Sequence, residues 1–260
     1  RLTDVTGVQT CALPIWSLCA QSKKEWYGLV GSAYLENESY RVLQRLCDEC
    51  GGRMVGSPDN ERGMEILTAE LQRLGYAVKK EKFEMPGWVR GEDKVKVVSP
   101  FQRKLSAIAL GYVSPAPLFT APLVYAPNVE EKFFKDNDVN GKIVLVGRSR
   151  PVHARASQYG VRALLFINDR SGTLNLAKTI NHTGVASNIP SYSLTYEEGE
   201  WLKRLLEKKI EVRLSLETLS YCKKIETANL VVSLPGQKKE KIVVGAHFDG
   251  WDLEIGRAHV

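Results

Sequence analysis

The stretch that decides the fold reads Ile242-Val243-Val244-Gly245-Ala246-His247-Phe248-Asp249-Gly250-Trp251-Asp252. Its first residues are continuously apolar, which is typical of a central strand in a parallel sheet that is covered on both faces. Polar groups follow at the carboxyl end of this strand, where open α/β sheets gather their functional groups. We therefore predict a strand over 241–245 and a candidate site directly after it, formed by His247 and Asp249.

His247 and Asp249 are residue types that bind and orient a metal ion. An imidazole nitrogen is a favoured zinc ligand, and a carboxylate that accepts the other ring N–H fixes the tautomer and the ring orientation. The two side chains are two residues apart, so in an extended chain they point to the same side. On residue types alone, such a pair after a strand is more often structural, and the surrounding sequence has to decide.

Three separate motifs occur in the order found in one known family. Residues 229–236, a charged turn and residues 242–249 resemble the opening of the catalytic domain of M28-family zinc peptidases. The loop Gly52-Arg53-Met54-Val55-Gly56-Ser57 is similar to the one that precedes the second helix in that family. Segments 141–146 and 160–166 resemble a protease-associated (PA) insert. The resemblance covers about Tyr34 to Asp252, with one departure at Gly250, where one branch of the family usually has serine.

The resemblance implies an α/β fold, a truncated zinc-peptidase (phosphorylase/hydrolase-like) three-layer sandwich with an inserted, mainly β PA domain. It also implies a site with two Zn²⁺ ions that hydrolyses peptide bonds by a metal-activated water. In that scheme His247 is a metal ligand and Asp249 is the catalytic carboxylate that orients it. The bridging aspartate, the glutamate base and the other ligands lie further downstream in the family. We therefore expect this fragment to be inactive by itself.

The two ends of the chain are expected to come from adapter DNA. Residues 10–15 can be encoded by a string whose reverse complement, in another frame, encodes 255–259 and begins Val260. We expect residues 1–15 and 254–260 to be artefacts and the gene product to continue past Leu253. Residues 16–33 resemble a signal-peptide remnant and a linker, which favours a secreted or periplasmic protein, lysosomal or extracellular in a eukaryote.

Between the ends, the pattern of apolar, Pro and Gly residues changes near residue 100 and again near residue 222. Residues 34–99 are assigned to the N-terminal part of the peptidase domain, with helices predicted from Tyr34 to Cys50 and from about Glu61 to Leu74. Residues 100–222 are assigned to the PA-like insert, and residues 223–253 to the start of the catalytic peptidase sheet. The insert has short apolar segments between Pro and Gly, which predict strands at 107–110, 122–125, 142–146, 163–167, 190–194 and 212–219.

The composition excludes several classes of protein. Hydrophobic residues make up 43% of the 260 residues and charged residues 25%, which is ordinary for a globular protein and excludes a collagen-like or wholly disordered chain. The net charge is +6, but the lysine runs at 79–82 and 238–241 are short and each contains a glutamate. We therefore expect no nucleic-acid partner, and no apolar run is long enough for a transmembrane span.

Other candidate residues are weaker than His247. Cys47-x-x-Cys50 has zinc-knuckle spacing, but no second pair follows because Cys222 stands alone, so buried thiols are favoured. His153 and His182 are predicted to be surface or loop histidines. Asn37 and Asn181 begin N-glycosylation patterns. Trp88 and Trp201 are predicted to be packing residues.

The leading hypothesis is a zinc-dependent exopeptidase, similar to a metallocarboxypeptidase or dipeptidase, that acts on dipeptides or short peptides. A non-catalytic PA-bearing receptor or interaction protein with the same fold is an alternative, because related proteins can lose their zinc ligands. An M28 aminopeptidase is another, since the residues that hold the substrate termini lie mostly beyond Leu253. The expected partner is a peptide or dipeptide substrate, and a homodimer stays open.

Overall fold

A computed structural model describes residues 23–36, 38–147, 152–181 and 183–253. The expected adapter-derived segments 1–15 and 254–260, the first part of the signal remnant and His182 lie outside these residues. The chain divides into two compact units, and the boundary in the sequence lies between Glu49 and Cys50. No helix in the described ranges is long and apolar enough to cross a membrane.

Among its described residues, the first unit contains two helices, α1 at Lys23–Leu35 and α2 at Glu38–Glu49. Ion pairs one turn apart stabilise the exposed face of α2, with Arg41 2.8 Å from Glu38 and Arg45 2.7 Å from Glu49. The helix predicted from Tyr34 to Cys50 is thus confirmed over most of its length. It begins four residues later than predicted, because residues 34 and 35 belong to α1.

The second unit begins with a capped helix, α3 at Pro58–Arg73. Ser57 is its N-cap and accepts a hydrogen bond from the Asn60 backbone N–H at 3.1 Å, and Pro58 suits the first helical turn. The elements that follow are β1 (Val78–Val89), β2 (Lys94–Ser99), β3 (Arg103–Lys104), β4 (Ala107–Ala109), β5 (Ala116–Ala126), α4 (Glu131–Asp136), β6 (Ile143–Val146), α5 (Val152–Gln158), β7 (Ala163–Ile167), β8 (Ser191–Leu194), α6 (Tyr196–Glu207), β9 (Arg213–Thr218) and β10 (Tyr221–Val232).

Within the described part of the chain, eight strands form one curled sheet in the order β3-β2-β9-β5-β6-β7-β8-β4. Strands β5 to β8 are parallel, and the outer strands are antiparallel to their neighbours. Strand β6 is buried on both faces, because Ile143 and Leu145 pack in one core cluster and Val144 and Val146 in another. Helix α6 covers the first face, and α4 and α5 cover the second. The result is a three-layer α/β arrangement.

The remaining two strands form a separate antiparallel ribbon. Strand β1 pairs with β10 in continuous register from Val78 opposite Val232 to Val89 opposite Tyr221. Most of the ribbon is exposed, but Trp88 and Ile225 near one end are buried. This end of the ribbon contributes to the candidate site.

The strand predicted over 241–245 is wrong. The backbone there has no strand pairing, and the side chains of Ile242, Val243 and Val244 are 95%, 88% and 91% exposed. A strand requires a neighbour that satisfies its N–H and C=O groups. None of the described strands lies beside these residues, so their apolar character alone does not produce a strand.

Candidate functional site

The structure brings His247 and Asp249 into direct contact. Nδ1 of His247 lies 3.1 Å from Oδ1 of Asp249 and 3.2 Å from the Asp249 carbonyl oxygen. An Nδ1–H that donates to these oxygens fixes the tautomer in which Nε2 keeps its lone pair. Both side chains remain about half exposed. The arrangement therefore presents Nε2 as a ligand atom at the surface of the loop.

Arg53 holds the backbone of this loop from the other side. Its guanidinium is buried, and Nε donates to the Phe248 carbonyl oxygen at 2.9 Å. In return, the Gly250 N–H donates to the Arg53 carbonyl oxygen at 3.1 Å. The two bonds bracket Asp249, so they fix the backbone between the residues on either side of it. The sequence motif that contains Arg53 thus has a structural reason to occur together with the His-x-Asp segment.

A second arginine anchors the end of the same loop. Arg90 forms a largely buried ion pair with Asp252, in which Nη2 lies 3.4 Å from Oδ1 and Nε contacts Oδ2. The Arg90 Nη1 donates to the Ala109 carbonyl oxygen at 2.7 Å. The guanidinium carbon also lies 4.7 Å from the centroid of the Trp88 ring. Arg90 therefore ties the loop to the end of the ribbon and to β4.

Gly52 permits the close approach of the loop. A Cβ atom at this position would lie well under 3.0 Å from the backbone of Trp251 and Asp252. Because the atoms that it would meet are backbone atoms, they cannot move by a simple side-chain rotation. Glycine is therefore required here by the packing of two chain segments.

A cavity of about 350 Å³ opens beside His247 and Asp249. Its walls come from the ribbon, the loop before α3 and the residues after β4, and they are mostly apolar. They include Met54, Met85, Trp88, Tyr112, Ile225 and Trp251. Tyr112 has a left-handed backbone (φ 64°), and burial raises the pKa of its hydroxyl. The cavity thus combines an exposed imidazole at its edge with an apolar interior.

A zinc ion needs more ligands than the described residues bring together. Zinc sites in proteins usually have three or four protein ligands. No group of three or more His, Cys, Asp and Glu side chains suited to a metal occurs among the residues that the structure describes. His247 with its orienting carboxylate fits one ligand position of a zinc ion. It does not by itself form a coordination shell.

The other candidates from the sequence lie apart from this site. Cys50 is buried and Cys47 is half-buried, which agrees with the prediction of structural thiols. The prediction that His153 is a surface or loop residue is wrong. His153 belongs to α5, it is half-buried, and its Nε2 contacts the Ser187 hydroxyl at the edge of a second cavity. Burial lowers its pKa.

Sequence reasoning missed several residues of the site and underestimated one. Arg90, Tyr112, Met85 and Ile225 were not recognised, because each reaches the site through a long-range contact. Trp88 was predicted to pack, and it is buried, but it also lines the cavity.

The sequence of this chain is similar to those of several known proteins. The PA domain family matches residues 119–202. Carboxypeptidase Q from Bos taurus is 27% identical over 241 residues, which covers 85% of this chain and 51% of that protein. Carboxypeptidase Q from Homo sapiens is 25% identical over 258 residues, which covers 92% of this chain and 54% of that protein. The chain therefore spans about half the length of the curated relatives that it matches.

Solved structures share the fold. A peptidase M28 precursor from Shewanella amazonensis SB2B superposes with a TM-score of 0.64 at 23% identity, covering 80% of this chain and 52% of that one. An aminopeptidase from Aneurinibacillus sp. strain AM-1 gives 0.58 at 22% identity, covering 77% and 48%. These matches confirm the predicted zinc-peptidase type of fold with a PA domain. The chain is therefore similar to carboxypeptidase Q in sequence and to M28 peptidases in fold, and its residues 119–202 match the PA domain.

Proposed function

We propose that the chain is part of a zinc-dependent exopeptidase that hydrolyses dipeptides or short peptides. In this enzyme His247 is a zinc ligand through Nε2. The observation that carries this proposal is the 3.1 Å contact between His247 Nδ1 and Asp249 Oδ1. It leaves Nε2 available in a loop that Arg53 and Arg90 hold in place. Relatives named carboxypeptidase Q support a peptidase, and a fold neighbour from Bacillus subtilis is named a zinc aminopeptidase.

A bound zinc pair would polarise the scissile carbonyl group and lower the pKa of a bound water. The residues of this chain have supporting tasks. His247 contributes one ligand. Asp249 holds the ring orientation and keeps the proton on Nδ1, so that the imidazole stays a ligand. Arg53 prevents the loop from moving away by binding the carbonyl oxygen of Phe248.

We propose that the 260-residue chain is inactive by itself and that the full-length gene product supplies the other ligands and a carboxylate base. The single ligand among the described residues supports this, because one imidazole cannot hold two metal ions. We also propose that residues 100–222 form the PA insert between the peptidase segments 34–99 and 223–253. The PA match over 119–202 falls inside that range. A secreted or periplasmic location is part of the proposal.

The test is hydrolysis by the full-length gene product with zinc. We expect cleavage of dipeptides, loss of cleavage with a chelator, and loss in the His247→Ala variant. Dipeptides with a blocked amino or a blocked carboxyl terminus then distinguish an aminopeptidase from a carboxypeptidase, because each enzyme rejects the substrate whose recognised terminus is blocked. A folded, zinc-loaded protein that cleaves none of these substrates would favour the non-catalytic alternative.

A further inference from the structure

We infer that Arg90 and Asp252 are positioning residues for the metal ligand. Their ion pair holds the far end of the loop that carries His247, so that the imidazole keeps its contact with Asp249 and presents Nε2. The inference rests on the proposed function for the role of His247 as a zinc ligand.

Arg90 is a rigid anchor because its other contacts are core residues. Nη1 donates to the Ala109 carbonyl oxygen at 2.7 Å, and the guanidinium carbon lies 4.7 Å from the centroid of the Trp88 ring. Ala109 is fully buried, Trp88 is 4% exposed, and both belong to the same core cluster. The guanidinium group is therefore fixed relative to the eight-stranded sheet.

The main chain beside Arg90 is fixed as well. The Gly91 N–H donates to the Ser220 hydroxyl at 2.9 Å, and that hydroxyl donates to Asp93 Oδ2 at 2.6 Å. Ser220 is fully buried, and a Cβ atom on Gly91 would lie only 2.3 Å from the Leu219 carbonyl carbon. Because close-packed segments have no room to shift, neither end of the arginine can follow a moving loop.

Asp252 is the point at which this anchor reaches the loop. Two guanidinium nitrogens of Arg90 contact its carboxylate. Nearer the start of the loop, Arg53 binds the backbone directly before Asp249. Asp249 therefore lies on a short piece of chain that is held at both ends. Its carboxylate is kept in reach of His247 Nδ1, although both side chains are about half exposed.

The geometry of the ion pair suits this task. The side chains of Arg90 and Asp252 are 16% and 19% exposed, so little water competes with their contact. A guanidinium group and a carboxylate that meet through two nitrogens and two oxygens have few relative orientations. A lysine would offer a point charge, which attracts a carboxylate without fixing its orientation. An arginine is therefore the residue that can hold the loop end in one place.

The test is ¹⁵N NMR of the His247 ring in the 260-residue chain, which needs no zinc. Arg90→Met and Asp252→Asn remove the ion pair from opposite sides while keeping the apolar stem and the shape of the carboxylate. In each variant we expect the fraction of the Nδ1–H tautomer to fall toward its value in Asp249→Ala, which lacks the carboxylate acceptor. We expect Arg90→Lys to give an intermediate fraction, because it keeps the charge and loses the fork.

A double-mutant cycle shows whether Arg90 acts through Asp252. If it does, Arg90→Met and Asp252→Asn together shift the tautomer equilibrium no further than either substitution alone. Additive shifts would overturn the inference, because Arg90 would then act by another route. A wild-type tautomer fraction in both single variants, with the Val144 amide in β6 still protected from exchange, would overturn it as well.

Arg103 offers a matched control. Its guanidinium carbon lies 4.6 Å from the centroid of the Trp201 ring, and Nη2 lies 3.4 Å from Glu198 Oε1, so it repeats the arrangement of Arg90. Neither Arg103 nor Glu198 lines the cavity beside His247. We expect Arg103→Met to leave the tautomer fraction unchanged. A decrease as large as that in Arg90→Met would show a general loss of structure and would overturn the inference.

The full-length gene product connects this result to zinc. We expect Arg90→Met to bind zinc about tenfold more weakly in competition with a chelator, because losing a group that orients a metal ligand lowers metal affinity by about 10- to 100-fold. Arg103→Met should bind zinc like the wild type.

The two proposals fail in different ways. A wild-type full-length protein that neither binds zinc nor hydrolyses peptides would overturn the proposed function and leave the tautomer result in place. Zinc-dependent hydrolysis with the same zinc affinity in Arg90→Met as in the wild type would overturn the positioning role alone.

Discussion

Replacing Gly52 by alanine tests how the loop that carries His247 is held. The added Cβ atom would meet backbone atoms of Trp251 and Asp252 at well under 3.0 Å. Neither backbone can yield by a rotamer change, so the loop has to move away from the chain before α3. We expect this movement to break the Gly250 N–H bond to the Arg53 carbonyl oxygen and the ion pair between Arg90 and Asp252.

The expected change in the free energy of local opening follows from these two interactions. A backbone hydrogen bond contributes about 1 kcal/mol, and a hydrogen-bonded charged pair with little exposure contributes about 2 kcal/mol. Losing both lowers the free energy of local opening by about 3 kcal/mol, which corresponds to about a hundredfold in the opening equilibrium. The effect is local, because the core clusters around β6 do not include these residues.

Amide hydrogen exchange measures this local opening directly. We expect the Gly250 amide to exchange about a hundredfold faster in Gly52→Ala, or at the rate of an unprotected amide, while the Val144 amide in β6 is unchanged. Gly51→Ala is the matched control. Its Cβ would meet the carboxylate of Asp59, at 2.8 Å from Oδ2, and that side chain can rotate away. Gly52→Ala with the same exchange rate at Gly250 as the wild type would refute the account of the loop.

Two further predictions concern the histidines. Asp249→Ala removes the carboxylate acceptor beside His247 Nδ1 and leaves only the backbone carbonyl oxygen at 3.2 Å, so we expect the fraction of the Nδ1–H tautomer to fall in ¹⁵N NMR of the ring. An unchanged tautomer ratio would show that the Asp249 carboxylate does not orient the ring. His153 has a lowered pKa in the folded protein because of burial, so the unfolded chain binds its proton more strongly. The free energy of unfolding should therefore rise with pH up to the unfolded pKa of about 6.5 and be flat above it. Urea unfolding of wild type and His153→Gln checks this, and equal slopes in both would contradict it.

The sequence was sufficient for most of the strands between residues 100 and 222 and for the contact between His247 and Asp249. Short continuous apolar runs predicted the strands at 142–146 and 163–167, because each run lies between segments that contain glycine. The contact between His247 and Asp249 was also predictable, since residues two apart in an extended chain share one side.

The rest depends on contacts that no local pattern encodes. Arg90 and Asp252 are 162 residues apart, and an arginine at the end of a strand has no distinctive signal. The predicted strand over 241–245 failed for the related reason that a strand needs a partner as well as apolar residues. His153 was predicted as a surface or loop residue, and its burial was missed because its partner, Ser187, comes from a distant segment.

The most direct test of the central claim is a zinc titration of the 260-residue chain followed by ¹⁵N NMR of the His247 ring. The account predicts weak binding that moves the Nε2 resonance and leaves the proton on Nδ1, with no such binding in His247→Ala. Tight stoichiometric binding that survives His247→Ala, or coordination through Nδ1, would contradict the assignment of His247 as a single zinc ligand oriented by Asp249.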